Sequence, residues 1–433
     1  MRIWVLFSRQ SLADWDGTFS IGFIESGVSD CVQTHYEKDF MTTLWKGEKM
    51  VRGFLFSSPG KIVFEPNGIQ KVADEIKALG AKKPLLVTDK GVKNSGTLTR
   101  LQDPMGMTGV SCIIFDEVEP NPSVEIMEKG FSLFKNEGCD SLIALGGGSP
   151  IDTAKAIGVQ ATNPDPLRKY EGPNKVVHPI PPLIAIPTTA GTGSEVTGAS
   201  VITDKVRKYK FSVRSPFLIP KVALLDPTLL CTLPPPVLAS TGMDAFTHAY
   251  ESFISPVTNP VSQALAYDSM RLVSLNLRRF YANPDNLEAA SHMILASTMA
   301  GVAFFNGRVG VVHAMAHPLG GVFNTPHGEA NAILLPHCMD YTRIAVPDLF
   351  VRIAEAMGKN TIGLSAEDAS KLAVEAVREL MVDIRIPKGL KDVGIARDAF
   401  ATMAKDAVES GIHLTTPRKV SYEDMVSLYD AAY

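Results

Sequence analysis

The pattern of apolar and polar positions changes part-way along this chain of 433 residues. In the first half, short apolar runs alternate with stretches whose apolar residues recur every three or four positions, as in a predicted helix at Gly68–Leu79. The apolar runs predict a short strand at Ile62–Phe64, a buried strand at Pro84–Asp89, and further strands at Ser111–Phe115, Ser141–Leu145 and Leu183–Ile186. Because strands that alternate with helices form parallel sheets, we expect an α/β domain with helices on both faces.

Beyond Pro234–Pro236 the strand signals fade and long helical patterns take over. Helices are predicted at Val237–Ile254, Pro260–Arg279, Leu287–Phe305, Pro347–Met357 and Ala366–Met381. The second half is therefore predicted to be an all-helical domain at residues 232–433, after an α/β domain at 51–231. Residues 1–50 hold all three tryptophans and lack the pattern of the rest, so they are predicted to be an N-terminal extension outside the core fold.

The composition is that of an ordinary globular enzyme, with 45% hydrophobic and 20% charged residues. The length exceeds the usual single core, which agrees with two domains. A net charge of −4 gives no electrostatic reason to expect nucleic acid or an anionic membrane as a partner. Five widely spaced cysteines without a Cys-x-x-Cys pair predict reduced thiols in a cytoplasmic protein. No apolar stretch is expected to reach the roughly 20 residues that cross a bilayer.

Side chains that bind metals recur at helical spacing in the second half. Asp244 and His248 are four residues apart, so they share one face of a helix and can converge on one ion. The same spacing separates His313 from His317, and His327 follows shortly after. Imidazole and carboxylate without a thiolate suit Fe(II) or Zn(II). The sequence therefore predicts a mononuclear metal site with a catalytic role.

Two loops that follow predicted strands have the composition of phosphate-binding loops. In Gly146–Lys155, three glycines lead into a helix whose first N–H groups can bind an anion, although a tight turn without a ligand has the same composition. In Pro187–Glu195, hydroxyls and glycines can wrap a pyrophosphate or simply form a turn and a helix cap. Asp89, at a strand end, either binds a ribose, which favours NAD over NADP, or caps the next turn.

Together these motifs resemble the iron-containing (group III) alcohol dehydrogenases, and most of all the lactaldehyde reductase and 1,3-propanediol dehydrogenase type. The resemblance rests on Gly146–Lys155, Pro187–Thr197, Thr241–His248, Val312–Gly320 and Thr325–Gly328, and runs from about residue 53 to 433. It implies the dehydroquinate synthase-like fold, in which an α/β dinucleotide-binding domain and an all-helical metal-binding domain enclose the active site. It also implies NAD(H)-linked hydride transfer to or from a small alcohol, diol or aldehyde, and a homodimer or larger homo-oligomer.

Matched residue by residue, the resemblance also implies a set of site residues. The metal ligands, for Fe(II) or alternatively Zn(II), would be Asp244, His248, His313 and His327. His317 would lie beside them as a non-ligand for proton transfer or substrate contact, and Phe304 would line the substrate pocket. Contacts with NAD(H), preferred over NADP(H), would come from Asp89, Asn121, Gly147, Gly148, Ser149, Asp152, Thr188, Thr189, Thr192 and Lys210.

Three alternatives stay open on the sequence. A hydroxyacid–oxoacid transhydrogenase or hydroxy-acid dehydrogenase would have the same fold, and Arg308 favours an anionic substrate unless it is merely an exposed helix residue. A dehydroquinate-synthase-like lyase would need several basic residues, of which the metal motifs contain only Arg308. A filament-forming structural domain would not require the glycine and threonine loops.

Overall fold

A computed structural model describes residues 53–107, 109–207 and 209–433. The predicted extension at residues 1–50 lies outside the described residues. Phe54–Tyr433 form one unit in which the strands come first and long helices follow. This order confirms the predicted fold class, a parallel sheet with helices in the N-terminal part and an all-helical C-terminal part. The domain boundaries, 51–231 and 232–433, remain predictions.

The described residues form nine strands. They are β1 (Lys61–Phe64), β2 (Pro84–Asp89), β3 (Ile113–Val118), β4 (Ser141–Gly146), β5 (Gly172–Pro173), β6 (Leu183–Pro187), β7 (Ala199–Asp204), β8 (Tyr209–Arg214) and β9 (Val222–Leu225). Six of them make the main sheet in the order β1-β9-β6-β4-β2-β3, with every neighbouring pair parallel. Because β4 lies between β2 and β6, the carboxyl ends of these three strands lie side by side at one edge of the sheet.

The central strands β2, β4 and β6 are buried on both faces of the main sheet, which explains why they are continuous apolar runs. In β2, Leu85 and Val87 pack in one core cluster together with Leu142 of β4. Leu86 faces the opposite way and packs with Ile143 in a second cluster. All six residues of β4 are buried. Successive side chains along each of these strands therefore pack into two separate cores, one on each face of the sheet.

The smaller sheet, in the order β5-β8-β7, has no counterpart among the strands predicted from the sequence. β7 and β8 pair antiparallel, with Thr203 opposite Lys210 and Ala199 opposite Arg214. Their residues alternate between buried and more exposed positions, a weaker signal than an apolar run. Since side chains two residues apart share a face, Lys210 and Arg214 project from the same side of β8.

Fourteen α-helices surround and follow the sheets in the described part of the chain. They are α1 (Val72–Ala78), α2 (Lys90–Asn94), α3 (Thr97–Met107), α4 (Val124–Asn136), α5 (Gly148–Thr162), α6 (Pro235–Ile254), α7 (Pro260–Ala282), α8 (Leu287–Gly307), α9 (Val311–Val322), α10 (His327–Arg343), α11 (Pro347–Ala356), α12 (Ala366–Asp383), α13 (Phe400–Glu409) and α14 (Tyr422–Ala431). The helices from α6 onwards share a third and largest core cluster, which includes Phe246, Met270 and Ile294.

One helix of the described residues, α8, is long and apolar enough to cross a membrane by length and composition alone. This corrects the expectation that no apolar stretch approaches that length. The most apolar window of α8 is 61% buried inside the protein. Because α8 packs between α6 and α7 with its apolar side chains in the shared core, its composition is that of a central core helix.

Candidate active site

The carboxyl ends of β4 and β6 bring the two predicted loops together. β4 ends in Gly146 and leads into α5, and the backbone N–H of Thr188, just after β6, donates to the Gly146 carbonyl at 3.0 Å. A Cβ atom on Gly148 would lie 2.8 Å from Cγ2 of Thr192. Only glycine therefore lets the first loop pack this closely against the second.

The start of α5 is suited to bind a phosphate. Gly147 is its N-cap, and no side chain accepts the first N–H groups of the helix. These groups remain available to a ligand, and the positive end of the helix dipole adds to the attraction for an anion. Ser149 lies in the same first turn and offers a hydroxyl. The structure thus provides the geometry expected of a cofactor phosphate site.

Asp89 has a local structural role. Its Oδ1 accepts a hydrogen bond from the backbone N–H of Val92 at 2.9 Å, which caps α2. Its Oδ2 would lie 3.3 Å from a Cβ atom placed on Gly146. The carboxylate therefore stands beside the glycine loop. The capping interpretation is confirmed, and the contact with a ribose stays a prediction.

Lys210 and Asn121 form a polar pair in the cleft. Lys210 Nζ donates to Asn121 Oδ1 at 2.8 Å, and Asn121 Nδ2 donates to Oδ1 of Asn324, just beyond α9, at 2.7 Å. Burial lowers the pKa of Lys210 to about 8. The two predicted cofactor contacts are thus in contact with each other.

Lys155 is a functional candidate that the sequence pattern does not single out. It is fully buried, and its Nζ donates to the carbonyl of Ser194 at 2.6 Å and to that of Ala199 at 2.8 Å. Asp152 accepts from Ser194 Oγ at 2.6 Å and from the N–H of Val201 at 2.9 Å. Both carboxylate oxygens of Asp152 therefore bind the protein itself. Together the two residues hold the hydroxyl-rich loop, Pro187–Glu195, and the start of β7 against α5.

The four predicted metal ligands meet at one place. α6 carries Asp244 and His248, α9 carries His313, and α10 begins with His327. One ligand atom from each lies within 4.8 Å of those of the others. Asp244 Oδ1 is 4.0 Å from His313 Nε2 and 3.8 Å from His327 Nε2. The first three residues are buried and His327 is partly exposed.

Gly328 permits the close crossing of α10 and α6. A Cβ atom there would lie 2.2 Å from the carbonyl oxygen of Ser240. Any larger residue would have to push the helices apart. Because His327 and Asp244 sit at this crossing, their convergence depends on the glycine.

Asn331, one turn after His327, shows where the ligand lone pairs point. Its Nδ2 donates to Asp244 Oδ1 at 2.7 Å and lies 3.2 Å from both His313 Nε2 and His327 Nε2. A single polar atom thus contacts three of the four predicted ligands, so their lone pairs converge on a common region. Three imidazoles and one carboxylate directed at one region fit a divalent iron or zinc ion.

Further hydrogen bonds select the nitrogen that each imidazole presents. His313 Nδ1 donates to Glu251 Oε2 at 2.6 Å, while Glu251 Oε1 accepts from the N–H of Val312 at 2.6 Å. His248 Nδ1 lies 3.2 Å from the Gly191 carbonyl and donates to it. Both histidines therefore keep the lone pair on Nε2, as in metal sites whose ligands are oriented by outer hydrogen bonds.

Burial favours the neutral form of His313, His317 and His327. It lowers the pKa of His313 and of His327 well below the ordinary value. It also lowers the pKa of His317 to about 4, with a smaller contribution from the charge of Lys210. Burial raises the pKa of Asp244. Neutral imidazole is the form that binds a metal, and a nearby cation would favour the ionised form of Asp244.

His317 and Phe304 lie next to the four clustered residues. The His317 ring centroid is 6.5 Å from that of His313 and 5.6 Å from that of His327. Phe304 stacks on His248, with ring centroids 4.3 Å apart and 16° between the ring planes. These positions suit the predicted roles in proton transfer and substrate contact, which remain predictions.

A single cleft of about 690 Å³ connects the loops with the cluster. Of the predicted site residues it is lined by Asn121, Gly148, Ser149, Asp152, Thr192, Lys210, Asp244, His248, Phe304, His313, His317 and His327. Those outside its wall are Asp89, Gly147, Thr188 and Thr189. The structure therefore brings the predicted metal ligands and most predicted cofactor contacts to one cavity.

Comparison with known proteins decides the family. The model of iron-containing alcohol dehydrogenases matches residues 59–227, and that of the C-terminal part of the Fe-containing alcohol dehydrogenase family matches residues 238–433. The chain belongs to the iron-containing alcohol dehydrogenase family. This confirms the resemblance seen in the motifs, and it supports an oxidoreductase over the lyase and filament-forming alternatives.

Named members of the family are similar over nearly their whole length. 1,3-Propanediol dehydrogenase of Citrobacter freundii is 43% identical over 384 residues, which is 88% of this chain and 99% of that protein. Lactaldehyde reductase of Escherichia coli K12 is 40% identical over 372 residues, 86% of this chain and 97% of that protein. A crystal structure of 1,3-propanediol oxidoreductase superimposes with a TM-score of 0.87 at 42% identity, covering 88% of this chain and 100% of the other.

Three residues next to the site are not predicted from the sequence, although helical periodicity points to two of them. Glu251 is three residues beyond His248 on α6, and Asn331 is four beyond His327 on α10, so helical periodicity places each on the ligand-bearing face. Lys155 is the last residue of the glycine-loop motif, but its partners Ser194 and Ala199 lie about forty residues further along the chain. Its role therefore depends on tertiary structure.

Glu251→Gln tests the orientation of His313. The amide cannot accept the Nδ1 proton as strongly as a carboxylate, so the imidazole loses basicity and its fixed tautomer. We expect metal affinity to fall about 10–100-fold, as for outer hydrogen-bond partners of metal ligands generally. Metal retention during dialysis against graded chelator measures it. Glu375→Gln, on the exposed face of α12, is the matched control, and equal retention in both variants would contradict the role of Glu251.

Proposed function

We propose that this chain is a metal-dependent, NAD(H)-linked alcohol dehydrogenase and aldehyde reductase that acts reversibly on a small primary alcohol, diol or aldehyde. The observation that carries the proposal is one cleft lined both by an Asp-His₃ cluster and by a glycine-loop helix start. The 1,3-propanediol dehydrogenase and lactaldehyde reductase relatives support the substrate class. Residues 51–231 would bind the cofactor, and residues 232–433 the metal.

The chain's own contribution is to hold and orient the reactants. A divalent metal on Asp244, His248, His313 and His327 would supply Lewis-acid polarisation of the substrate oxygen, and the nicotinamide would supply hydride transfer. The N–H groups at the start of α5 would hold a cofactor phosphate. The aromatic wall formed by Phe304 would exclude water from the reacting atoms.

His317→Ala tests the proposed proton-transfer or substrate-contact role. His317 lies outside the four-residue cluster, so we expect the variant to retain its metal. General acid–base groups contribute about 10²–10⁴-fold, so we expect kcat to fall by at least about 100-fold. Metal analysis and steady-state kinetics on one sample measure both quantities. His292→Ala, whose ring pairs with Asn276 on a neighbouring helix, is the control. Loss of the metal would instead make His317 a ligand.

Asp89→Asn tests the proposed preference for NAD(H) over NADP(H). Asparagine can still cap α2, but it lacks the charge that repels a 2′-phosphate. We expect the ratio of kcat/KM with NADH to that with NADPH to fall about tenfold, equivalent to about 1.4 kcal/mol. An unchanged ratio with an unchanged melting temperature would show that Asp89 acts only as a helix cap.

The same proposal includes three further properties. They are Fe(II) as the physiological metal, a homodimer or larger homo-oligomer, and a cytoplasmic location. Three imidazoles and one carboxylate accommodate Fe(II) and Zn(II) alike, so the choice rests on activity with each ion. Light scattering of the purified chain gives the oligomeric state. A single mass equal to the monomer would overturn that part of the proposal.

The function is tested by anaerobic NADH oxidation with metal-stripped protein, restored with Fe(II) or Zn(II), against short aldehydes that include lactaldehyde. We expect turnover to return with added metal, and best with Fe(II). No turnover with either metal, despite bound NADH, would overturn the proposal and favour the transhydrogenase alternative. A transhydrogenase would also retain NAD through purification, which an absorbance spectrum of the purified protein reveals.

A further inference from the structure

Two arginines face the cleft in addition to the residues of the proposed mechanism. Arg214 is the last residue of β8, and Arg308 follows directly after α8. Both line the same cavity as the clustered histidines. Arg308 is exposed and Arg214 is half-buried. The cleft wall therefore carries two guanidinium charges that neither metal binding nor the phosphate site of α5 requires.

Neither guanidinium has a partner in the described part of the chain. No ion pair or side-chain hydrogen bond joins Arg214 or Arg308 to any residue there, and the buried Nε of Arg214 has no acceptor. Burial, and then the positive charge of Arg308, lowers the pKa of Arg214, so the two like charges are close enough to interact. Buried donors in proteins are nearly always satisfied, so an acceptor from outside the chain is expected here.

The acidic groups of the cleft wall do not pair with the two arginines. Asp152 accepts from Ser194 and Val201, and Glu171 pairs with Arg207 at 3.1 Å. Asp244 belongs to the metal cluster. The charged neighbours of Asp406 are Glu409 and Lys405. None of these acidic groups forms an ion pair with Arg214 or Arg308.

The arginines lie towards the metal cluster. Arg308 comes one turn after Phe304, the residue that stacks on His248. Arg214 pairs with Ala199, and a Cβ atom on the adjacent Gly198 would lie 2.8 Å from the ring of Phe305. Both arginines therefore lie next to the C-terminal end of α8, which forms one wall of the proposed substrate pocket.

The backbone of Arg308 is held in an unusual conformation. Its φ is +71°, a region that non-glycine residues rarely occupy because the side chain is strained there. Glycine, which has no Cβ, would adopt this conformation without strain. The chain therefore carries an arginine where glycine would fit with less strain, and such strained residues cluster at binding and active sites.

We propose that Arg214 and Arg308 bind the anionic end of the substrate, which is a short aldehyde or alcohol with a terminal carboxylate, sulfonate or phosphonate. The inference rests on the proposed function and names its substrate class. The reaction is unchanged: aldehyde, NADH and one proton give alcohol and NAD⁺. The planar, five-donor guanidinium suits such oxyanions and can bind them bidentately.

The experiment compares matched aldehydes in one enzyme sample. One pair is 4-oxobutanoate and butanal, and a second, shorter pair is sulfoacetaldehyde and propanal; each pair differs chiefly in its terminal anion. The quantity measured is the ratio of kcat/KM for the anionic to that for the neutral aldehyde, with Fe(II)-loaded protein and NADH. The ratio is independent of the folded fraction, so a poorly folding variant still reports on specificity.

We expect the anionic aldehyde to be preferred in at least one pair. Hydrogen bonds to charged groups contribute enough that Arg214→Gln and Arg308→Gln should each lower the ratio about tenfold or more, mainly through KM for the anionic aldehyde. Arg385→Gln is the matched control, since Arg385 is an exposed arginine with a positive φ of 58° that lies outside the cleft wall. Its ratio should equal that of the unaltered protein.

Three outcomes would overturn the inference. They are a preference for the neutral aldehyde in both pairs, an unchanged ratio in both arginine variants, and a rise in KM for NADH alone, which would assign the arginines to a cofactor phosphate. Reduction of neutral aldehydes with any of these results leaves the proposed function intact. No NADH oxidation with any aldehyde, charged or neutral, would instead refute the proposed function.

Discussion

Replacing His248 with alanine is expected to remove bound metal and turnover together. His248 is one of four residues whose ligand atoms lie within 4.8 Å of one another, and its Nδ1 is held by the Gly191 carbonyl. The loss of a ligand should exceed the 10–100-fold effect of changing an outer partner, so we expect metal affinity and kcat to fall by more than about 100-fold. Atomic emission and NADH-linked assays on one preparation measure both.

The control for that prediction is His178→Ala. His178 is exposed and lies outside the cleft wall, so its loss should change neither quantity. A His248→Ala protein that retains its metal and full activity would refute the ligand assignment. A protein that loses activity but retains its metal would instead limit His248 to shaping the pocket through its stacking on Phe304.

Replacing Lys155 with methionine is expected to destabilise the fold and weaken cofactor binding. Methionine has a similar length but no donors, so the Ser194 and Ala199 carbonyls would lose their donor and the partly buried Asp152 carboxylate would lose its nearby cation. Each buried acceptor left without its donor typically costs about 1–3 kcal/mol, so we expect a loss of a few kcal/mol in all. Urea unfolding should show a loss of that order, and fluorescence titration should show weaker NADH binding.

Lys135→Met, on the exposed part of α4, is the control for Lys155. It removes the same charge without disturbing a buried network, so we expect its unfolding free energy to stay within about 0.5 kcal/mol of the unaltered protein. A Lys155→Met protein as stable as this control, with unchanged NADH affinity, would show that the network does not hold the hydroxyl-rich loop in place.

Local patterns predict the elements of this fold well where one physical requirement dominates. β2 and β4 are buried on both faces, so they appear as continuous apolar runs, and the metal ligands appear because helical spacing brings Asp244 beside His248. The hairpin of β7 and β8 is missed because its half-buried residues alternate weakly. β3 likewise begins at Ile113, two residues after the start of the predicted run.

The sequence does not reveal which residues that are far apart along the chain come into contact in the fold. The partners of Lys155 lie beyond another strand in the sequence. Arg214 lies near Arg308 only because the end of β8 is close to the end of α8 in the fold. Asp89 illustrates a different limit. Its two candidate roles, helix cap and ribose contact, place the carboxylate in the same position, so sequence alone does not separate them.

The most direct test is a titration of metal-free protein with Fe(II) under anaerobic conditions, with bound iron and NADH oxidation by a short aldehyde measured at each step. We predict that turnover rises in proportion to bound iron and saturates at about one ion per chain, as a mononuclear catalytic site requires. The same titration of His248→Ala should give neither binding nor turnover. Turnover that is already maximal without metal, or that ignores the amount bound, would contradict a metal-dependent dehydrogenase.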